Sequence, residues 1–314
     1  MTDDERSAPK VLIAIPTYRR PDLLPPLVAA VRDDMAAADA PCRLLIVDND
    51  PERSAAPVAA ELDAPYAHQP IPGIAAVRQA ALDAAADDEL LVMIDDDVLP
   101  EEHWLEGLLE AWRAHRPTAV MGFVRYVWPA EADPWVAAGG FMRRTRFPTG
   151  TRLDALSTGS ALLDVAAVRA LGIGFDLSLG LAGGEDLQLG RDILARGGSI
   201  VASADSVARS DIPLDRASRE FVRRRAISQG QTRVRLLVRD PNPVLQVAKR
   251  GLHLAGGLVR LPLFVAAERL AIARGDVPAS AVYRRRAWFA RGRVLGAVGH
   301  ITPEYARDPR KKNS

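Results

Sequence analysis

Three consecutive carboxylates, Asp95-Asp96-Asp97, follow directly on the apolar run of residues 90–94. Like charges gathered at one strand end repel one another unless a cation, a hydrogen-bonding ligand or open water relieves them. Hard divalent cations such as Mg2+ or Mn2+ are held by one or two carboxylates together with phosphate oxygens of a substrate. A nucleotide diphosphate is therefore the natural partner of such a triplet, with a solvated turn as the alternative. A second acidic pair stands in Gly183-Gly184-Glu185-Asp186, where a helical pattern through Leu187, Leu189 and Ile193 begins. A carboxylate there can act as general base toward a hydroxyl within hydrogen-bond reach, the glycines letting backbone come close. It can equally be the acid that helix N-termini favour.

Both groups depend on the elements that carry them. Residues 11–15 form a short buried-strand run ended by Pro16, and Pro21-Asp22 opens a helix with Leu24, Leu27, Val28 and Val31 on one face. Residues 44–47 form a second run, stopped by Asp48-Asn49-Asp50-Pro51, and a short strand is expected near residues 66–68. Pro72-Gly73 opens an Ala-rich helix that reaches Ala86, the run at 90–94 follows, and Pro100-Glu101-Glu102 starts a helix with Trp104 assigned to the core. A Pro/Gly/Arg-containing loop over 128–150, a strand near 156–163, a helix from Glu185 to about Arg196 and a strand at 199–202 complete the pattern. Helices are expected from Asp215 onward. Such alternation predicts an α/β fold, a mostly parallel sheet with helices on both faces. Ligands of such sheets bind at the carboxyl ends of the strands, where Pro16-Thr17-Tyr18, Asp48-Asn49-Asp50 and the triplet collect.

At 314 residues, 48% hydrophobic and 26% charged, the chain has an ordinary globular composition, which excludes collagen-like, coiled-coil and wholly disordered classes. A lone Cys42 permits neither an internal disulfide nor a cysteine-based zinc site, and the acidic N-terminus has no apolar stretch of signal-peptide length. A cytoplasmic location is expected, at the inner face of the membrane if the chain meets one. The net charge of +1 hides a polarity: residues 1–204 carry 18 Lys+Arg against 31 Asp+Glu (−13), and residues 205–314 carry 23 against 9 (+14). The basic part either faces an anionic partner or attracts the acidic part.

No window reaches the roughly 18–20 uninterrupted apolar residues of a membrane span. The nearest, residues 252–272, is expected to be broken by Gly256-Gly257 and Pro262. Lys249, His253, Arg260 and Glu268 fall on about one third of its wheel, so it reads as an interfacial segment or a helix packed on the first domain. Arg223-Arg224-Arg225, Arg284-Arg285-Arg286 and Arg310-Lys311-Lys312 supply charge without a nucleic-acid-binding motif, and no nucleic-acid partner is expected. Pro-Thr-Tyr-Arg-Arg after the first strand also disfavours dinucleotide and P-loop folds.

The ordered set IPTYRRPDLL, IVDND, PGIAAVRQAAL, LLVMIDDDVLPEEHWLEGLL, STGSALL and GIGFDLSLGLAGGEDLQLGRDILARGG resembles the family 2 glycosyltransferases of the GT-A fold, over roughly residues 10–230. The resemblance implies an inverting enzyme that transfers a sugar from a nucleotide-diphosphate donor, UDP first by family frequency, to a hydroxyl acceptor. By it, Pro16, Thr17 and Tyr18 line the base pocket, Asp48 accepts a hydrogen bond from the base, and Arg78 lies over the nucleotide. Asp96 takes the ribose-contacting position with Asp95 in support, Asp97 is the ligand of Mg2+ or Mn2+, and Asp186 is the catalytic base. Trp135, Thr158, Gly159 and Glu185 fall in the acceptor or donor-sugar region, where Phe141, Arg143, Arg144 and Arg146 are further candidates. The implied layout is a tail over residues 1–9, disordered, a GT-A domain over 10–212 and a basic helical region over 213–314. The acceptor is expected to be anionic or lipid-linked, with a peripheral membrane contact through the helical region.

One position departs from the family pattern. Many relatives complete the metal site with a histidine after the strand that follows the Glu-Asp helix, and here Arg209 stands at that place. Arginine does not ligate metals but pairs with a diphosphate. Either Asp97 holds the cation with phosphate and water alone, or Arg209 does part of its work. A non-catalytic nucleotide-sugar or glycan-binding protein and a sugar nucleotidyltransferase are the competing readings on the same scaffold.

Overall fold

The computed structural model describes residues 8–86, 89–239, 242–300 and 302. Most of the expected N-terminal tail and the Arg310-Lys311-Lys312 cluster lie outside the described residues. Among the described residues eight strands form one mixed sheet: β1 (Lys10–Thr17), β2 (Cys42–Asp48), β3 (Tyr66–His68), β4 (Glu89–Ile94), β5 (Leu99–Pro100), β6 (Ala119–Val127), β7 (Ser160–Asp164) and β8 (Ile200–Asp211). Their order is β3-β2-β1-β4-β7-β6-β8-β5. The pairs β1–β2, β1–β4, β2–β3 and β6–β8 are parallel, while β7 runs against both its neighbours and β5 against β8.

Among the described residues ten α-helices complete the fold: α1 (Leu24–Ala37), α2 (Ala56–Glu61), α3 (Ile74–Ala84), α4 (Trp104–His115), α5 (Pro134–Ala138), α6 (Val165–Ala170), α7 (Glu185–Ala195), α8 (Arg219–Leu237), α9 (Pro243–Ala273) and α10 (Val277–Ala297). Alternate residues of β1 serve opposite sheet faces. Val11, Ile13 and Ile15 pack with α1 and α4, whereas Leu12 and Ala14 pack with α3, α6 and α7. Burial on both sides is why these strands read as unbroken apolar runs rather than as alternation. Trp104 is fully buried, as expected, and its Nε1–H donates to Ser160 Oγ at 2.8 Å.

Several local expectations are corrected. The long strand β6 was not foreseen, because Gly122 and a register shift between Met121 and Phe123 interrupt its pattern. β8 is a 12-residue strand, not a short one. Pro100 belongs to β5, so α4 starts at Trp104. Residues 156–159 form a turn rather than strand, and β7 begins at Ser160. The expected break near Gly256 and Pro262 does not occur, and α9 runs through both. Pro262 faces solvent, where water can satisfy the carbonyl left without its helical partner, and buried Gly257 meets Ala290 and Val294 of α10. Side-chain caps from Ser218, Asn242 and Asp276 open α8, α9 and α10.

Gly107 lets α4 lie against β8. A Cβ there would sit 2.5 Å from the Ser206 backbone nitrogen and 2.7 Å from the Asp205 carbonyl carbon. Gly107→Ala is therefore expected to cost about 1–3 kcal/mol, read as a lowered denaturation midpoint.

Candidate active site

The parallel pairing of β1 with β4 brings their carboxyl ends side by side and sets Thr17 beside the triplet. Thr17 Oγ1 donates to Asp96 Oδ2 at 2.9 Å. Arg20 Nη1 donates to Asp96 Oδ1 at 2.8 Å and to Asp97 Oδ2 at 3.0 Å. Arg216, on the short helical turn Leu214–Arg216 after β8, donates to the same Asp97 oxygen at 2.9 Å. Two arginines far apart in sequence thus relieve the repulsion of adjacent carboxylates. Burial still pushes the Asp96 carboxyl up to about 6, with Arg20 opposing.

The third aspartate links the triplet to the Glu-Asp helix. Asp95 accepts from Arg78 Nη2 at 2.8 Å, and the other arm of that guanidinium bonds Glu185. Arg78 and Glu185 are both buried. Burial pushes the Glu185 carboxyl up to about 7, against the pull of Arg78, and neighbouring Asp186 adds to the rise. Gly184, at φ 91°, turns the chain into α7. Asp186 is half-buried in the first turn, and its Oδ1 accepts from the Leu187 N–H at 2.7 Å.

A cavity of about 630 Å³ opens over these strand ends, within the usual range of ligand sites. Pro16, Thr17, Tyr18, Asn49, the three aspartates and Gly159 line it, together with Arg20, Arg143, Arg144, Arg216 and Arg225. Tyr18, Phe123, Tyr126, Phe147 and Phe221 add aromatic surface. Five arginines and three carboxylates on one cavity wall, beside rings able to stack on a base or sugar, suit a ligand that is flat at one end and anionic in the middle.

The structure brings Pro16, Thr17, Tyr18, Asp95, Asp96, Asp97 and Gly159 together as the sequence suggested. Gly159 is held by the Asp95 N–H, which donates to its carbonyl at 3.2 Å, and a Cβ there would lie 2.9 Å from Asp95 Oδ2.

Other assignments are corrected. Asp48 is buried and not on the cavity: its carboxylate accepts from the Asp50 and Ala55 N–H groups and the Tyr66 hydroxyl, so it builds the turn after β2. Its neighbour Asn49 lines the cavity instead. Arg78 braces Asp95 and Glu185 and is not exposed to a ligand, and Glu185 is buried against it rather than open to an acceptor. Arg209 points outward from β8 and pairs with Asp211 at 2.8 Å, because alternate residues of that strand face opposite ways. Arg216 reaches the triplet in its place.

Trp135 sits on α5, edge-on to Trp288 of α10 with ring centroids 5.9 Å apart and the Arg219 guanidinium over its ring. It docks a loop onto the helices rather than meeting a sugar. Phe141 packs likewise on Phe221. Thr158 is buried, its hydroxyl without a partner, beside the lining residues Ser157 and Gly159. Glu185 and Asp186 are not among the lining residues. Nothing in the sequence pattern singles out Arg20, Arg216 or Asn49. Arg20 lay within the TYRRP segment, next to an arginine that turns instead to Asp50 and Glu52.

Among the described residues no three acid, histidine or cysteine side chains converge as a metal cage. An ion that keeps water and phosphate oxygens needs only one or two protein carboxylates, and Asp97 and Asp95 on the cavity wall fit that requirement. Both arginines take Oδ2 of Asp97, which leaves Oδ1 for a cation.

A mixed sheet with carboxylates and arginines around a cavity at its strand ends defines an enzyme-like site. The model of the family described as Glycosyl transferase family 2 matches residues 12–171. A curated relative, the succinoglycan biosynthesis protein ExoM of Rhizobium meliloti (strain 1021), is 32% identical over 244 residues, covering 74% of this chain and 77% of that protein. Among solved structures, the mannosyltransferase PcManGT from Pyrobaculum calidifontis, in complex with GDP-Man and Mn2+, superposes with a TM-score of 0.59 at 20% identity, covering 93% of this chain and 88% of that one. GalNAc-T7 with UDP, GalNAc and Mn2+ gives a TM-score of 0.52 at 14% identity; 72% of this chain matches 48% of that one, less than half its length. The chain belongs to glycosyltransferase family 2. It is a glycosyltransferase of the GT-A fold.

Proposed function

We propose that this glycosyltransferase uses a nucleotide-diphosphate sugar and transfers the sugar with inversion to an acceptor hydroxyl. The observation that carries the reading is the convergence of Arg20 and Arg216 on Asp96 and Asp97 inside the cavity. A guanidinium that bonds carboxylate oxygens can bond diphosphate oxygens by the same geometry. Tyr18 and Asn49 stand at the base end. The acceptor oxygen attacks the anomeric carbon as its proton passes to a carboxylate, and the bond from that carbon to the diphosphate breaks with its electron pair going to the leaving oxygen. Asp186 is assigned as the base. The assignment is supported by its place beside Glu185, which Arg78 ties to Asp95, rather than by contact with the cavity wall. Arg20 and Arg216 offset the charge that develops on the leaving group.

A divalent cation, Mg2+ or Mn2+, held by Asp97 with Asp95 beside it, would supply further charge neutralisation at the diphosphate. The Mn2+ named with both solved relatives supports that part of the reading. UDP is the first donor nucleotide to test, followed by GDP and dTDP. Residues 10–212 are the donor-binding and catalytic unit in this reading. The basic region 213–314, helical over α8, α9 and α10, meets the cytoplasmic face of a membrane in this reading, where an anionic or lipid-linked acceptor would be presented.

A thermal-shift panel of UDP-, GDP- and dTDP-sugars with Mn2+, Mg2+ or EDTA tests the donor site without knowledge of the acceptor. Saturation at one hundred times Kd stabilises the fold by about 2.7 kcal/mol. One nucleotide is expected to raise the melting temperature, with the rise lost in EDTA and in Asp97→Ala. A rise that survives EDTA but disappears in Arg216→Ala transfers the cation's part to the arginines. No rise with any nucleotide sugar overturns the donor-site assignment.

A further inference from the structure

Helix α9 is amphipathic in the sense opposite to a helix bathed in water. Its buried side rests on α10, which lies in turn on α8, and that inner side carries polar groups. Glu268 is buried and pairs with Arg284, and His253 Nδ1 lies 2.8 Å from Arg293 Nη2. The outward side is apolar: Leu245, Leu252, Leu258, Val259, Leu263 and Leu270 are each about half exposed or more, Leu252 reaching 73%. At 100° per residue these side chains, with the small residues between them, spread over about half of the circumference. Within that half, Arg269 is the one charged residue.

The helix has 31 residues and so presents a stripe about 46 Å long. Contiguous exposed apolar surface on that scale marks an interaction site. Charge selects the occupant. Residues 243–297 carry ten Lys+Arg against two Asp+Glu, a net of +8, and Arg269 within the stripe and Arg274 at its C-terminal end stand exposed. A second copy would bring an equal positive charge against the first, whereas an anionic lipid surface offers both an apolar interior and the opposite charge. No helix among the described residues is long and apolar enough to cross a membrane.

We infer that α9 is a membrane-docking helix that lies flat in the headgroup region of an anionic bilayer, its outer leucines and valines inserted and Arg269 and Arg274 among the lipid phosphates. The inference deepens the membrane contact proposed above by naming the face that makes it, and it is independent of the donor chemistry.

The test is co-sedimentation of the full chain with vesicles of phosphatidylcholine alone or with 30% phosphatidylglycerol. Wild type is expected to pellet with the anionic vesicles, and Leu252→Gln/Val259→Gln/Leu263→Gln to bind at least about a hundredfold more weakly. Arg269→Gln/Arg274→Gln is expected to lose the preference for anionic over neutral lipid. Unchanged melting temperature and donor-induced shift confirm that each variant is folded. Wild-type binding matched by the apolar variant overturns the assignment of this face while leaving a membrane contact elsewhere. Wild type that stays in the supernatant overturns both, and a dimer in gel filtration dissolved by the same apolar variant reassigns the face to a second copy. A missing donor shift bears only on the donor site.

Discussion

Arg78→Met is expected to destabilise the protein by about 3–5 kcal/mol, the usual cost of leaving a buried charge without its partner. Arg78 has 4% of its side chain exposed and Glu185 has 3%, so water cannot replace the lost guanidinium. Asp95, at 32%, is hydrated enough to absorb its share of the loss. Arg78→Met/Glu185→Gln removes both charges and is expected to recover much of the deficit. Chemical denaturation of the two variants and of Glu185→Gln closes the cycle. Equal stability of the single and double variants would mean that the pair contributes nothing beyond packing.

The same pair sets a pH dependence whose sign follows from burial. The Glu185 carboxyl is pushed up to about 7 in the folded chain, whereas an unfolded glutamate titrates near 4.3. Between those values the folded state holds the extra proton, so this group's contribution to stability is fully present below the unfolded value and is lost as pH rises through about 7. Removing Arg78 takes away the charge that most opposes the rise, moves the folded value higher and extends the loss to more alkaline pH. The melting-temperature deficit of Arg78→Met is therefore expected to be larger at pH 8 than at pH 5. A deficit of the same size at both values would place the cause in lost packing.

The elements most legible in the sequence were those whose signal is local. β1, β2 and β4 are buried on both faces and stand out as apolar runs, and the polar residues that end them mark the ligand side of the sheet. Thr17, Tyr18 and the three aspartates followed from that placement. What the sequence hid was direction and distance. Arg209 and Ser210 are neighbours in the chain, but strand alternation sends Ser210 to the cavity and Arg209 to solvent. The contact of Arg216 with Asp97 spans 119 positions and depends on the short helical turn after β8, for which no periodic pattern gives notice. Asp48 was misplaced because a turn-forming and a ligand-binding aspartate look alike until the backbone N–H groups around them are known. In α9 the polar stripe was legible, but its inward orientation depends on arginines supplied by α10.

Asp186→Asn separates the two roles open to that carboxylate. As the base that receives the acceptor's proton, Asp186 is expected to be worth about 10²–10⁴ in turnover. The amide keeps the shape and loses the basicity, so kcat should fall by that factor while the donor-induced thermal shift and the donor KM stay near wild type. A purely structural acid behaves otherwise. Carboxylates at a helix N-terminus contribute about 0.3–1 kcal/mol, and here part of that is offset by the charge repulsion between Asp186 and Glu185. In that case Asp186→Asn would lower the melting temperature slightly and leave turnover within about threefold of wild type, a loss no larger than such a helix-end effect could produce. Release of free nucleoside diphosphate from the donor is the readout. Asp97→Ala provides the contrast, since it is expected to lose the donor-induced shift itself. Two variants that fail at different stages, one at binding and one after it, would divide the carboxylates of this site between holding the donor and moving the proton.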